Sequence, residues 1–184
     1  ERLAQGLLEG RLEQELAAAA EEADWRLPET LTAVLVPGSQ ATTVRQLLRM
    51  SSGLTFTERY DGHDDVARLS RGFAGAPGGA LAVLRSVADR HTPAGEKFVY
   101  ASAETAVLGR VLKGATGRDL SQLTREWLWQ PLGAQQEAFW VTGSEGEEGA
   151  WGYFNATLRD WARLGLLLAR DGRVGDTQVV PHEY

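Results

Sequence analysis

The chain has 184 residues, 43% hydrophobic and 24% charged, which is enough for one packed domain or a large piece of one. A formal net charge of −6 with no basic run argues against a nucleic-acid partner. The absence of cysteine rules out a disulfide framework and a thiolate nucleophile, and fits either side of a cell membrane.

Residues 1–24, "ERLAQGLLEGRLEQELAAAAEEAD", place Leu3, Leu7, Leu8, Leu12 and Leu16 at helical spacing. Gly6 and Gly10 weaken that helix by up to ~1 kcal/mol each. Pro28 and "PGS" at 37–39 mark loops. Thr43 is an N-cap for a short helix from Val44 to Met50, with Gly53 as its left-handed stop. Residues 54–63 read as irregular, and Asp64 or Asp65 opens another short helix. After the loop "GAPGG", Gly79 to Arg90 reads as helix with Leu81, Leu84, Val87 and Ala88 on one face.

Pro93 and Gly95 make a turn. Ser102 is then the expected N-cap of a helix to Thr116, closed by Gly117. Asp119 caps the next helix, which Pro131 and Gly133 end. "AFWVT" at 138–142 has the character of a short strand, and "SEGEEG" reads as an exposed turn. Thr157 with Asp160 resembles a capping box for a helix to Arg170, with Leu158, Trp161, Leu164, Gly165 and Leu168 on its apolar face. "RDGR" is a turn and "TQVV" a possible strand. Helix dominates, without repeat or low-complexity linker. No apolar run approaches the roughly 20 residues of a membrane helix. The chain opens inside a helical pattern at Glu1 and stops at Tyr184 in "VVPHEY", so an internal fragment is the expectation.

The residues offer few routes to catalysis. His63, His91 and His182 are isolated and lack metal-ligand spacing, and no phosphate-binding glycine loop or nucleophile elbow is present. No cofactor is indicated. The two lysines, Lys97 and Lys113, follow Ala94 and Arg110 by three residues, so there is no S-x-x-K. "SSG" at 51–53 reads better as a helix end than as a nucleophile. Asp64-Asp65 and Glu147-Glu148 are expected to face solvent. Trp127, Trp129, Trp151 and Trp161 could form a ligand platform, though such residues more often pack. Tyr100 taken alone also reads as packing.

The order of motifs says more. "TVRQLLRMSSGLTFTERYDGHDDVARL" is followed by "HTPAGEKFVYASAETAVLGRVLKGATGRDL". Next come "LWQPLGAQQEAFWVT" and "GYFNATLRDWARLGLLLARDGRVGDTQVVP". From Thr43 to Tyr184 this series resembles the serine β-lactamase-related family, in the branch of class C β-lactamases, DD-peptidases and related esterases. "MSSGLTFTERYDGHDDVARL" and "FNATLRDWARLG" are most similar to its 6-aminohexanoate-dimer hydrolase subgroup.

The resemblance implies a chain that is mainly α as given and α+β overall, the helical portion of a β-lactamase/transpeptidase-like fold. Residues 43–184 would form the mostly helical region. Residues 1–42 would be the helix and loop after the family's S-x-x-K, with "LEGRL" at 8–12 similar to its E-G-x-L segment. It also implies that Tyr100 is the catalytic tyrosine of a Tyr-x-Asn or Tyr-x-Ser motif and that Ser102 is its third position. Ser102 departs from the asparagine of class C β-lactamases, which weakens the case for lactam recognition. Tyr60, in "ERY", is similar to a substrate-contacting tyrosine of the amide-hydrolysing subgroup. A small-molecule amide, ester or lactam is the implied substrate, cleaved through a serine acyl-enzyme whose serine and lysine are not in these 184 residues. The rival expectations are a scaffold relative that binds a ligand or partner without catalysis, and a helical partner-binding module built on residues 1–24.

Overall fold

The structure, a computed structural model, describes residues 42–182. The helix expected over 1–24, the loops at Pro28 and 37–39, and "LEGRL" lie outside the described residues.

Among the described residues, helix dominates as expected. The α-helices are α1 Val44–Leu48, α2 Asp65–Phe73, α3 Gly79–Ser86, α4 Ser102–Thr116, α5 Leu120–Thr124 and α6 Leu158–Ala169. A π-helical turn, Arg125–Trp129, continues α5. Two antiparallel ladders complete the elements. β1 Phe139–Trp140 pairs with β2 Phe154–Asn155, and β3 Arg173–Val174 pairs with β4 Thr177–Gln178.

Most helix starts are encoded locally. Thr43 Oγ1 accepts from the Gln46 N–H at 3.2 Å, and Gln46 Oε1 accepts from the Thr43 N–H at 2.8 Å, which closes a capping box. Asp64 Oδ1 accepts from the Ala67 N–H at 3.0 Å. Asp119 and Gln122 form a second box, and Thr157 Oγ1 accepts from the Asp160 N–H at 3.2 Å.

Two helices end earlier than the pattern predicts. α1 stops at Leu48, because Met50 itself turns left-handed at φ 50°. Gly53 is not the helix stop, although its φ is 78°; a Cβ there would strike the Thr92 carbonyl oxygen. α3 stops at Ser86, short of Arg90. Beyond it the chain pairs with another segment. The Thr55 N–H donates to the Asp89 carbonyl at 2.8 Å and the His91 N–H to the Gly53 carbonyl at 3.0 Å. Leu54 and Arg90 form an antiparallel bridge.

The larger core gathers Phe56, Leu69, Phe73, Leu84 and Val87 against Ala103 and Ala106 of α4. The Phe73 ring lies 5.0 Å from Trp151 and 4.8 Å from Tyr153. The smaller core is built on Trp129, Leu132 and Leu167. Phe154 joins it edge-on to Trp129 at 5.1 Å.

The expected apolar face of α6 is corrected by this packing. Leu158 is 86% exposed and Leu168 72% exposed. The covered stripe is Asp160, Arg163, Leu164 and Leu167, related by i, i+3, i+4 and i+7. A polar pair opens that stripe: Arg163 Nη1 reaches Asp160 Oδ1 at 2.8 Å. Selecting apolar residues alone therefore picked a neighbouring stripe, which shares only Leu164 with the buried one.

The adjacent acids are corrected as well. Asp64 is buried, and Asp65 and Glu147 are half-buried. Glu148, also half-buried, accepts from the Ser121 N–H at 3.0 Å. Only Ser144, Glu145 and Gly146 of "SEGEEG" are exposed.

α2 and α3 approach closely at Gly72, where a Cβ would sit 2.7 Å from the Gly79 carbonyl oxygen. Gly72→Ala should therefore lower stability by ~1–3 kcal/mol through overpacking. A Cβ on Gly165, on the open side of α6, would meet nothing within 4 Å. Gly165→Ala should instead raise stability by roughly 0.5–1 kcal/mol. Urea denaturation of the two variants checks the opposite signs.

Candidate active site

Tyr60, Ser102 and Tyr100 come from two segments far apart in sequence, and the fold brings them to one rim. The first segment, 49–63, has no regular ladder of its own. The second is the loop before α4. The Val99 N–H donates to the Met50 carbonyl at 2.8 Å, and the Gly95 N–H donates to the Ser51 carbonyl at 2.7 Å. These bonds fix Tyr100 on a tethered loop, where the residue is 54% exposed.

Ser102 is the first residue of α4 and not its N-cap. The cap position is Ala101, which has no side chain to offer. Glu58 supplies the acceptor from 44 residues away. Its Oε2 accepts from the Ser102 N–H at 2.8 Å and its Oε1 from the Ser102 hydroxyl at 2.7 Å. The same Oε1 accepts from the Tyr60 hydroxyl at 2.6 Å. A carboxylate in this place also suits the positive end of a helix.

The backbone at Tyr60 is left-handed, φ 58°, which is unfavourable for a residue with a Cβ. Asp64 holds it there, with Oδ2 accepting from the Arg59 and Tyr60 N–H groups at 2.6 Å each. The Tyr60 ring is nevertheless 73% exposed.

The acidity of these groups follows from the contacts. The Tyr60 phenol is pushed up to about 12, first by its hydrogen bond to Glu58, then by desolvation and by the charge of Glu58. Tyr100 and Asp64 are close enough to add to the effect. Burial alone would raise Asp64, but the N–H groups of Ala67, Arg59 and Tyr60 hold its carboxyl below the usual carboxylate range.

Beneath the rim lies a second carboxylate. Glu104, in the first turn of α4, is buried. Its Oε1 accepts from the Ser52 hydroxyl at 2.6 Å and from the Ser52 N–H at 3.3 Å. The Ser52 hydroxyl in turn accepts from the Leu54 N–H at 3.1 Å. Ser51 donates to the Gln46 carbonyl at 3.2 Å. The hydroxyls of "SSG" are thus tied into the frame. Arg90 donates to the Ser52 carbonyl and, at 2.6 Å, to Thr42 Oγ1. Burial raises Glu104 above the ordinary carboxylate value, against the opposing pull of Ser52 and Arg90.

No sequence motif marks Glu58 or Glu104. The available hint was Ser102 itself, a cap-type residue whose partner had to come from somewhere. The tryptophans do not form a common platform. Trp129 and Trp151 pack in separate cores, while Trp161 leans edge-on against Phe154 at 5.5 Å. Among the described residues, no group of three or more His, Asp or Glu could hold a metal ion. No helix among them is long and apolar enough to cross a membrane.

The comparisons with known proteins agree with this fold. Residues 16–182 match the beta-lactamase family, and the chain belongs to that family. Among solved structures it is similar to a provisionally named 6-aminohexanoate-dimer hydrolase from Bacillus anthracis. That match has 24% identity and a TM-score of 0.72, and covers 90% of this chain and 47% of that one. It is also similar to EstCE1, a hydrolase with promiscuous acyltransferase activity, at 19% identity and a TM-score of 0.58, covering 86% and 56%. A provisionally named beta-lactamase from Bacteroides dorei DSM 17855 matches at 22% identity and a TM-score of 0.55, covering 78% and 41%. At these identities the likenesses establish the fold. The chain spans about half the length of the solved relatives it matches. A comparison with curated proteins gave no match.

The raised Glu104 sets a sign for stability against pH. A carboxyl that binds its proton more tightly when folded adds stability fully below its unfolded value of 4.5, and that stability is lost as pH rises through the folded value. Glu104→Gln keeps an acceptor for Ser52 and cannot ionise. The variant's melting temperature should gain on the wild type as pH rises from about 4.5 towards neutrality. Thermal melts across that range check it.

Proposed function

We propose that the protein is a serine hydrolase that cleaves a small amide, ester or lactam through an acyl-enzyme, with Tyr100 as its proton-transfer tyrosine. One observation carries the reading within the family: Tyr100 is exposed on a tethered loop immediately before α4, beside Ser102 and Tyr60. A side chain needed only for packing would be turned inward. Here the backbone is fixed and the phenol is displayed, as a group that must meet a substrate requires.

The chemistry follows from ordinary acidities. A tyrosine is a poor base near neutrality, since its ordinary pKa is about 10. An adjacent ammonium stabilises the phenolate and brings proton transfer into range. In the proposed reaction the tyrosine–lysine pair takes the serine proton as the serine oxygen attacks the carbonyl carbon. The pair then returns a proton to the leaving nitrogen or oxygen. Backbone N–H groups stabilise the tetrahedral oxyanion, and water releases the acyl group by the same route. The serine and lysine would come from an S-x-x-K in the full-length protein, since these 184 residues contain none. Tyr60 would contact the substrate, and Ser102, held by Glu58, would line the site.

The 184-residue chain by itself should not turn over a chromogenic ester above the buffer rate. Measurable turnover would contradict the assignment of the nucleophile. In the full-length enzyme, Tyr100→Phe should lower kcat by ~10²–10⁴-fold, the scale of losing a general acid–base. Near-normal turnover would remove Tyr100 from the mechanism. If the gene upstream of the Glu1 codon encodes no S-x-x-K, the reading becomes that of a non-catalytic scaffold that binds a ligand or partner.

A further inference from the structure

Glu58 is the charged group of the rim that the proposed mechanism does not use. Three donors converge on it: the Ser102 N–H, the Ser102 hydroxyl and the Tyr60 hydroxyl. The first two would be explained by a structural need, since α4 has no cap of its own. The third has no such explanation. Tyr60 contributes little to the core, being largely exposed. Its backbone is nevertheless kept in an unfavourable left-handed conformation by two hydrogen bonds to Asp64. Strain that the surroundings over-determine, under a side chain the core does not need, points to a role for that side chain's position.

The two tyrosines of the rim are held differently. The Tyr60 phenol has given its single donor to Glu58. The Tyr100 hydroxyl has no hydrogen-bond partner among the described residues. We propose that Glu58 is a positioning residue of this site: it takes the Tyr60 hydroxyl proton as a hydrogen bond, locks Tyr60 to the first residue of α4, and leaves Tyr100 as the tyrosine free to exchange a proton. The proposal rests on the hydrolase reading for the role of Tyr100, but not for the Glu58–Tyr60 link. Tyr60 is thereby barred from acting as a second base. Its oxygen lone pairs, not its proton, face outward. The ionisable groups that face Tyr60 are Glu58, Asp64 and Tyr100, while Arg59 is paired with Asp61 at 3.1 Å.

The test is a pH titration of tyrosine ionisation in the chain, by ultraviolet absorbance, with circular dichroism reporting the fold at each pH. The chain has four tyrosines, and the signal of Tyr60 is identified by its loss in Tyr60→Phe. In the wild type Tyr60 should remain un-ionised well after an ordinary tyrosine, with a midpoint of about 12. In Glu58→Gln the midpoint should fall towards ~10, the ordinary value. In Ser102→Ala, which leaves the Glu58–Tyr60 bond in place, it should stay raised. A wild-type Tyr60 that ionises at the ordinary value overturns the proposal without any variant. So does a Glu58→Gln midpoint equal to the wild type's. A Glu58 that served only to cap α4 would lower stability when replaced and leave Tyr60 unmoved. A full-length protein with no hydrolase activity would refute the functional reading while the titration still decides the role of Glu58.

Discussion

The segment from Ser51 to Asp64 must satisfy its backbone without a helix or a sheet, and carboxylates solve this. Buried N–H groups without partners are costly, so an irregular segment next to a core needs acceptors from elsewhere. Glu104 takes the Ser52 N–H, and Asp64 takes those of Arg59 and Tyr60. Asp65 Oδ2 takes both the Thr57 N–H and its hydroxyl, at 2.9 and 2.7 Å. Glu58 reaches the other way and closes the N-terminus of α4. The rim that carries Tyr60, Tyr100 and Ser102 therefore stands on side-chain-to-backbone bonds together with the backbone bonds from Gly95 and Val99. The same device recurs in the smaller core. There Asp160 accepts from the Gln135 and Gln136 N–H groups at 2.9 and 3.1 Å and from the Thr157 hydroxyl at 2.8 Å. Those bonds, the Gln135 N–H first, hold its carboxyl below the usual range.

Which parts of this were legible in the sequence depends on how far each interaction reaches. Thr43, Asp64, Asp119 and Thr157 were readable as helix starts because a cap acts within three residues. Gly117 closes α4 at φ 65° for an equally local reason. Ser102 was misplaced by one position because its partner is 44 residues away. The helical pattern overruns the end of α3 because the pairing of Asp89 and His91 with Thr55 and Gly53 has no local signature. The buried stripe of α6 was missed because it begins with Asp160 and Arg163, which burial rules assign to the surface unless a partner is known. The site shows the same split. Tyr100, Ser102 and Tyr60 were reached through motif order, whereas the two glutamates that hold the frame have no motif of their own.

Asp64 and Glu104, two buried acids near the rim, are pushed in opposite directions, and the cause is the balance of donors against burial. Burial is the largest influence on both. Asp64 receives several backbone N–H bonds, which favour its charged form and win. Glu104 receives the Ser52 contacts and the charge of Arg90, which do not. Asp64 therefore strengthens the frame as a charged group and loses that contribution as pH falls through its lowered value. Glu104 favours the protonated frame and loses its contribution as pH rises. Their contributions to stability therefore run in opposite directions with pH.

Backbone strain falls where this frame meets the displayed tyrosines. Among the described residues, three non-glycine positions are left-handed: Met50, Tyr60 and Asp171. Asp171 lies beside Gly172 in the turn between α6 and β3, where local turn geometry accounts for it. Met50 immediately precedes the irregular segment and Tyr60 lies within it. The Met50 carbonyl receives the Val99 N–H, one residue before Tyr100, and the Tyr60 N–H is held by Asp64. Each strained peptide is therefore bonded either to the loop that carries one tyrosine or directly beneath the other. Flexible loops could carry exposed rings without such strain. A frame that keeps it fixes where the rings stand, which the proposed proton transfer over hydrogen-bond distances would require.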